Sequence, residues 1–345
     1  MKIAVIGAGL AGQQHVRAIQ KSDQCTLDFI VDPSLESIEF CGNSKLSHFS
    51  EIEKALADRK PDGAIIATPN SLHLRHSLIF IKNKIPLLVE KPISSDFKSA
   101  LSIVQYAQKE NVPLMTGHHR RHNKIVAVAK EKIASGQLGR LVASHSMCWL
   151  FKPETYFNTW RKGNSGGPVL INLTHDIDLM RYLIGEIESV HCFDSSMIRA
   201  GDVEDSAVVN LKYENGVLGT LSISDTIVGP WSWEQTSKEN PVYPHQKESC
   251  YWIGGTHGSL ELPKVKGWMS EAERSWWNPI FYKEETIEPK SESLLDQLHN
   301  FLSMIMGKDA PVCSGKDGIR TLSVIEAIKM SARTGKVIRP KKFLS

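Results

Sequence analysis

The chain has 345 residues, of which 41% are hydrophobic and 23% are charged, a composition typical of a globular protein long enough for two domains. Its 41 Lys and Arg residues nearly balance its 38 Asp and Glu residues, so charge gives no reason to expect nucleic acid or an anionic membrane as a partner. No apolar run reaches the ~20 residues of a membrane helix. The first residues run directly into a strand pattern rather than a signal peptide, and the six cysteines include no CxxC pair. We therefore expect reduced thiols, a cytoplasmic location and no metal site.

The segment VIGAGLAG near the N-terminus has the spacing of a glycine-rich turn between a strand and a helix. Lys2–Ile6 is a short apolar run typical of a buried parallel strand, and Leu10–Gln20 has apolar residues at helical spacing. Gly7 and Gly9 then lie in the turn, where a pyrophosphate can approach backbone amides at a helix N-terminus. Gly12 allows the helix to pack closely on the strand. The pattern predicts a dinucleotide site.

The next strand-like run, Thr26–Val31, ends in Asp32, twenty residues after Gly12. A carboxylate at this point accepts hydrogen bonds from the adenosine ribose hydroxyls and repels a 2′-phosphate. Because no arginine stands beside Asp32, the sequence predicts NAD(H) rather than NADP(H) as the cofactor.

Three further strand-like runs alternate with helical stretches near residues 71–82 and 95–109. These runs are Gly63–Ala67, Pro86–Val89 and Val112–Thr116. Alternation of this kind predicts a doubly wound parallel sheet, in which ligands bind at the carboxyl ends of the strands.

Two segments at those strand ends, ATPNSLH (67–73) and VEKPIS (89–94), follow the glycine turn in an order and spacing that resemble the Gfo/Idh/MocA oxidoreductase family, named after glucose–fructose oxidoreductase and inositol dehydrogenase. GHHRRHN (117–123), WRKGNSGGPVLINLTHDIDL (160–179) and DGIRTLSVIEAIKMSARTG (317–335) resemble further segments of the same family. The resemblance therefore covers nearly the whole chain.

The resemblance implies a Rossmann domain over residues 1–121 and a substrate-binding and oligomerisation domain over residues 122–345, with a large, open, mostly antiparallel sheet. The residues support this change of architecture, because strand-like stretches follow one another with short turns and little helix between them. These stretches are Val142–Met147, Ser206–Tyr213 and Val217–Ser224. The family also implies a homodimer or a homotetramer.

The glycine turn, the carboxylate and the two strand-end loops together predict the residues that bind the cofactor. They are Gly7, Gly9, Leu10, Ala11, Gly12, Asp32, Thr68, Pro69, Asn70, His73, Glu90 and Lys91.

The resemblance makes Lys91 a catalytic-site residue, whose ammonium would stabilise a developing alkoxide. His175 follows Asn172 by three residues, so both fit one helical face, and a neutral imidazole there would accept the hydroxyl proton, with Asp178 orienting the ring. Many members of the family carry an aspartate four residues before this histidine, where this chain has Ile171. Asn172 can hydrogen-bond the substrate but cannot act as a carboxylate, so the third catalytic role stays open. A purely structural role for His175 is the alternative.

The predicted substrate contacts lie after the last strand of the first domain, before the glycine-rich segment, at the start of the His175 helix and in an aromatic stretch. They are His119, Arg120, Trp160, Arg161, Asn172 and Trp233. One of the two adjacent arginines, Arg120 or Arg121, is expected to be structural. Aromatic faces pack well against the C–H faces of sugars and cyclitols, which favours Trp233.

The leading hypothesis is an NAD(H)-dependent oxidoreductase that transfers hydride between the nicotinamide and a secondary alcohol or ketone of a sugar, sugar derivative or cyclitol. One alternative is a dehydrogenase of a cyclic dihydrodiol or hydroxy acid. The other is a non-catalytic, NAD-sensing regulator of the same fold.

Overall fold

The computed structural model describes residues 1–157, 166–270, 273–285, 287 and 292–341. The backbone divides into two compact units. The first contains Met1–His122 and Glu292–Leu322, and the second contains the described residues of Asn123–Ser291 and Ser323–Lys342. Among the described helices, none has both the length and the apolar character needed to cross a lipid bilayer.

The helices and strands of the N-terminal half of the chain are, in order, β1 (Lys2–Ile6), α1 (Leu10–Lys21), β2 (Thr26–Val31), α2 (Leu35–Asn43), β3 (His48–Phe49), α3 (Ile52–Asp58), β4 (Gly63–Ile66), α4 (His73–Lys82), β5 (Leu87–Glu90), α5 (Phe97–Lys109), β6 (Leu114–Gly117), α6 (Lys124–Ala134) and β7 (Leu141–Trp149). The described elements that follow are α7 (Pro168–Ile171), α8 (Leu173–Ile184), β8 (Ile187–Ser195), β9 (Ser206–Tyr213), β10 (Leu218–Ser224), α9 (Trp233–Thr236), β11 (Tyr251–Gly255), β12 (Gly258–Leu262), β13 (Lys266–Met269), β14 (Phe281–Glu284), α10 (Ser293–Ile305) and α11 (Gly315–Thr334).

The first unit is built on a sheet with the strand order β3-β2-β1-β4-β5-β6, in which all described neighbours run parallel. The central strands are apolar along their length because helices cover both faces of the sheet. The strand order reverses between β1 and β4, and the predicted doubly wound parallel sheet is confirmed. The sequence pattern did not predict α2, β3 and α3, because these elements are short.

The first unit also includes a segment from the C-terminal part of the chain. The apolar face of α10, with Leu298, Phe301 and Leu302, packs in one hydrophobic cluster with Val16 and Ile19 of α1. The sequence-based division placed everything after residue 121 in the second domain. The structure instead groups Glu292–Leu322 with the first unit, because this apolar face is buried there.

The second unit is built on a sheet with the order β14-β13-β12-β11-β7-β10-β9-β8. Described neighbours are antiparallel except β7 and β10, which pair in parallel, so the predicted mostly antiparallel sheet is confirmed. Side chains alternate between the two faces along β9: Ala207, Val209 and Leu211 are buried, and Val208 between them is 51% exposed. The buried face and the apolar residues of α8, among them Leu173 and Ile177, belong to one hydrophobic cluster.

Candidate functional site

The glycine turn after β1 is shaped by close backbone contacts. Gly7 has a φ of +96°, and a Cβ added to it would lie 2.6 Å from the carbonyl oxygen of Ala67. A Cβ on Gly12 would lie 1.9 Å from the carbonyl oxygen of Gly7. Both positions therefore need glycine for the turn and helix to meet.

Gly9 differs from these two glycines, because a Cβ added to it would have no described atom within 4 Å. It is the N-cap of α1, and no described side chain caps the helix there. The neighbouring Leu10 is 77% exposed. The first amides of α1 thus face open space at the positive end of the helix, an arrangement that binds phosphate groups.

Asp32, at the end of β2, is hydrogen-bonded to the glycine turn. Its Oδ2 accepts from the backbone N–H of Ala8 at 2.7 Å, and its Oδ1 accepts from that of Ser34 at 2.8 Å. Burial works against ionisation, but these hydrogen bonds outweigh it and lower the pKa of Asp32. An ionised carboxylate next to open helix amides fits a dinucleotide with an unmodified adenosine ribose.

His73 connects the loops that follow β4 and β5. It is fully buried, with Nε2 2.8 Å from the carbonyl oxygen of Thr68 and Nδ1 3.1 Å from that of Pro92. Burial lowers the pKa of His73, although both backbone contacts act in the opposite direction. The structure therefore gives this predicted cofactor ligand a role in holding the loops, whereas Pro69 is exposed and Asn70 half-buried.

Glu90, at the end of β5, pairs with a residue that sequence reasoning missed. Its Oε1 lies 2.8 Å from Nε2 of His15 on α1, and its Oε2 accepts from the backbone N–H of Lys91 at 3.1 Å. Burial opposes ionisation of Glu90, but the hydrogen bond and charge of His15 lower its pKa to about 2. Glu90 therefore fixes the backbone of Lys91 rather than facing open space. One feature of the sequence could have indicated this pair: His15 is a polar residue among the apolar positions of α1.

The segment after β6 forms a short 3₁₀ turn, His119–His122. Arg121 donates to the carbonyl oxygen of Val312 at 3.1 Å and lies 3.4 Å from Oδ1 of Asp317, so this arginine has a packing role. Arg120 is also buried, and His119 is half-buried.

In the second unit, Asn172 is the N-cap residue of α8 and His175 lies in its first turn. The backbone N–H of His175 donates to the carbonyl oxygen of Asn172 at 2.9 Å, and both residues are buried. The Asn172 side chain does not cap the helix within the described residues. Instead its Oδ1 accepts from Nζ of Lys152 at 2.6 Å, a contact that no sequence motif indicated.

The comparison with family models supplies the decisive observation. Residues 1–118 match the model described as "Oxidoreductase family, NAD-binding Rossmann fold", and residues 130–339 match "Oxidoreductase family, C-terminal alpha/beta domain". The chain belongs to the Gfo/Idh/MocA oxidoreductase family. It is an oxidoreductase with an NAD-binding Rossmann domain, as the sequence predicted.

Individual members of the Gfo/Idh/MocA family are distant relatives of this chain. The 1,5-anhydro-D-fructose reductase of Ensifer adhaerens is 25% identical over 83% of this chain and 82% of its own length. The myo-inositol 2-dehydrogenase of Thermotoga maritima is 24% identical, with 100% of both chains covered. The crystal structure of the WlbA dehydrogenase from Bordetella pertussis, in complex with NADH and UDP-GlcNAcA, has a TM-score of 0.80, 22% identity and 99% coverage of both chains, which shows a shared fold.

Two groups of predicted Gfo/Idh/MocA site residues are each brought together within one unit: the glycine turn with Asp32, and Asn172 with His175. Trp233 is not part of such a group. It is 1% exposed, donates from Nε1 to Oε2 of Glu239 at 2.6 Å and stacks on Tyr251 at 5.7 Å between ring centroids. This packing role does not support the predicted substrate contact. Trp160 and Arg161 lie outside the described residues.

Proposed function

We propose that this member of the family is an NAD(H)-dependent oxidoreductase that interconverts a secondary alcohol and a ketone of a sugar, sugar derivative or cyclitol. The observation that carries the choice of cofactor is the 2.7 Å hydrogen bond from the Ala8 amide to Asp32 Oδ2. It holds an ionised carboxylate on the phosphate-binding turn, where a ribose diol is accepted and a 2′-phosphate is repelled.

The nicotinamide of bound NAD supplies the hydride acceptor. Lys91, whose backbone is fixed by Glu90, would stabilise the oxyanion that develops as the alcohol loses its proton. His175 would accept that proton as a neutral imidazole, and Asn172 would hydrogen-bond the substrate. The remaining cofactor contacts are Leu10, Ala11, Thr68, Pro69 and Asn70, and the remaining substrate contacts are His119, Arg120, Trp160 and Arg161.

The names of the relatives support the substrate class. The two curated relatives are named as enzymes of a cyclitol and of an anhydro sugar, both of which carry secondary alcohols or ketones on a ring. Nothing in the described residues favours the dihydrodiol or hydroxy-acid alternative over this one.

The test is a turnover assay that follows nicotinamide absorbance. The panel contains myo-inositol, D-glucose and UDP-GlcNAcA with NAD⁺ or NADP⁺, and 1,5-anhydro-D-fructose with NADH or NADPH. We expect turnover of at least one compound and a higher kcat/KM with the unphosphorylated cofactor. NADH binding by calorimetry without turnover of any compound would instead favour the NAD-sensing regulator.

We also propose a homodimer or homotetramer built on the outer face of the second sheet. In the single chain this face exposes large apolar side chains on several strands, which soluble proteins usually cover. They are Phe193, Val208, Leu218 and Tyr282. A second copy of the same face is a suitable partner because flat, apolar sheet faces can stack. Light scattering should show a dimer or tetramer, and Leu218→Lys should dissociate it. A monomeric wild type would contradict the proposal.

A cytoplasmic location is consistent with the cysteines. All six lie within the described residues, and each is buried without a disulfide bond.

A further inference from the structure

A cluster of buried charges lies where β7 and β10 end, in the second unit. Lys152 is 5% exposed, and its Nζ lies 3.7 Å from Oδ2 of Asp225, which is also buried. Oδ1 of the same carboxylate accepts from Nε of Arg199 at 2.9 Å. Burial lowers the pKa of Lys152 and raises the pKa of Asp225, and the charge of each residue counteracts the shift of the other.

Arg199 ties this cluster to the backbone of both strand ends. Its Nη2 donates at 2.8 Å to the carbonyl oxygens of Lys152 and Asp225. The Lys152 ammonium also lies 5.0 Å from the centre of the Tyr156 ring. These contacts fix the position of the Lys152 ammonium group.

The fixed ammonium determines how the Asn172 amide is turned. An ammonium has three donors and no acceptor, so it can only bind the carbonyl oxygen of the amide, as the 2.6 Å contact to Oδ1 shows. Asparagine at an N-cap normally accepts from the helix amides, yet the Asn172 side chain makes no such bond in the described chain. Oδ1 therefore faces Lys152, which takes one of its two lone pairs, and the NH₂ of Asn172 is turned away from Lys152.

We infer that Lys152 is a positioning residue that turns the NH₂ of Asn172 towards the substrate, where this donor selects an acceptor oxygen. This inference rests on the proposed role of Asn172 in substrate binding. The substrate group that meets Asn172 is then a carbonyl, ether or hydroxyl oxygen that accepts a hydrogen bond, and a protonated amino group is excluded because it offers only donors.

The first experiment observes Asn172 without requiring turnover. In protein labelled with ¹⁵N at asparagine, the side-chain NH₂ signals of Asn172 are identified by their loss in Asn172→Asp. We expect them to shift in Lys152→Met and to stay in place in Lys132→Met, which removes another lysine of the same unit, one paired with Glu285 at 2.5 Å. Unchanged Asn172 signals in folded Lys152→Met would overturn the inference even if the enzyme is active.

Lys152→Met removes one of the two cations that face the buried Asp225 carboxylate. The variant Lys152→Met/Asp225→Asn is therefore measured beside it. This pair of changes removes one charge of each sign from the same cluster. Thermal unfolding shows which of the two is folded, and the NMR comparison then uses that variant. Lys152→Arg keeps the donor and should retain most of the wild-type behaviour.

The second experiment is a double-mutant cycle on substrate binding, with the polyol of highest kcat/KM in the panel as the probe. Lys152→Met should raise its KM about two- to twelvefold, which corresponds to one neutral hydrogen bond, with a smaller change in kcat and none in the KM for NAD⁺. In an Asn172→Ala background the same change should have no further effect, since the amide is absent. An equal effect in both backgrounds would mean that Lys152 affects substrate binding independently of Asn172.

Asn172→Asp completes the design, because it keeps an oxygen for Lys152 and replaces the outward donor by an acceptor. Its KM for the polyol should rise at least as much as that of Asn172→Ala. A KM at or below the wild-type value would contradict a hydrogen bond donated by Asn172 to the substrate. Failure of the whole panel would reject the proposed function, whereas the NMR result would still decide the orientation of the amide.

Discussion

The cofactor region of the first unit and the polar cluster of the second unit differ in how their residues are distributed along the chain. The glycine turn occupies consecutive residues, and Asp32 joins it through one neighbouring strand, with a single hydrogen bond to Ala8. The cluster around Asn172 draws Lys152, Arg199 and Asp225 from three separate segments. Local backbone geometry therefore defines the first region, whereas tertiary packing of buried charges defines the second.

Lys91→Met should lower activity strongly. Removal of one electrostatic stabiliser of an oxyanion typically costs ~10²–10³-fold in kcat. NADH affinity by calorimetry should change little if Lys91 acts on the reacting oxygen. A lost NADH affinity with an unchanged kcat would assign Lys91 to the cofactor region alone.

The glycine turn can be broken selectively with a matched pair of variants. Gly12→Ala should lower the free energy of unfolding by about 3 kcal/mol, because its Cβ would lie 1.9 Å from the Gly7 carbonyl oxygen. Gly9→Ala, where the added Cβ meets no described atom within 4 Å, should unfold like the wild type and bind NADH more weakly. Urea denaturation and calorimetry measure the two effects. Equal stability of both variants would contradict the packing described for Gly12.

The buried pair of Glu90 and His15 should make stability depend on pH. Because the pKa of Glu90 is lowered from 4.5 to about 2 on folding, its contribution is present above pH 4.5 and is lost as the pH falls towards 2. Glu90→Gln removes this dependence, which we expect to be about 3 kcal/mol. Urea unfolding of both proteins across that pH range measures it. A wild-type slope no steeper than that of Glu90→Gln would show that folding does not lower the pKa of Glu90.

Asp32→Asn should shift cofactor preference. Loss of the carboxylate removes its repulsion of a 2′-phosphate, so the ratio of NADPH to NADH affinity should rise about tenfold. Glu39→Gln is the control, since it removes an exposed carboxylate of the neighbouring helix α2. If wild-type protein binds NADPH as tightly as NADH, Asp32 has no selective role.

The sequence predicted the local features well for a physical reason. Strand and helix periodicity identified β1, α1, β2 and the parallel sheet, and the glycine spacing required the turn that Gly7 and Gly12 form. It did not predict His15 against Glu90 or Lys152 against Asn172, because partners 75 and 20 residues apart leave no periodic signal. Trp233 shows the same limit, since a polar sequence neighbourhood does not reveal that an indole is buried.

The assignment of His175 as the proton acceptor is tested most directly by the pH profile of kcat/KM for alcohol oxidation in wild type and His175→Ala. Wild type should lose activity as the pH falls and the imidazole of His175 is protonated, which gives the profile an acidic limb. His175→Ala should lack this limb and turn over ~10²–10⁴-fold more slowly, with NADH affinity nearly intact. A variant that keeps both the wild-type rate and the acidic limb would show that His175 is structural and that another group accepts the proton.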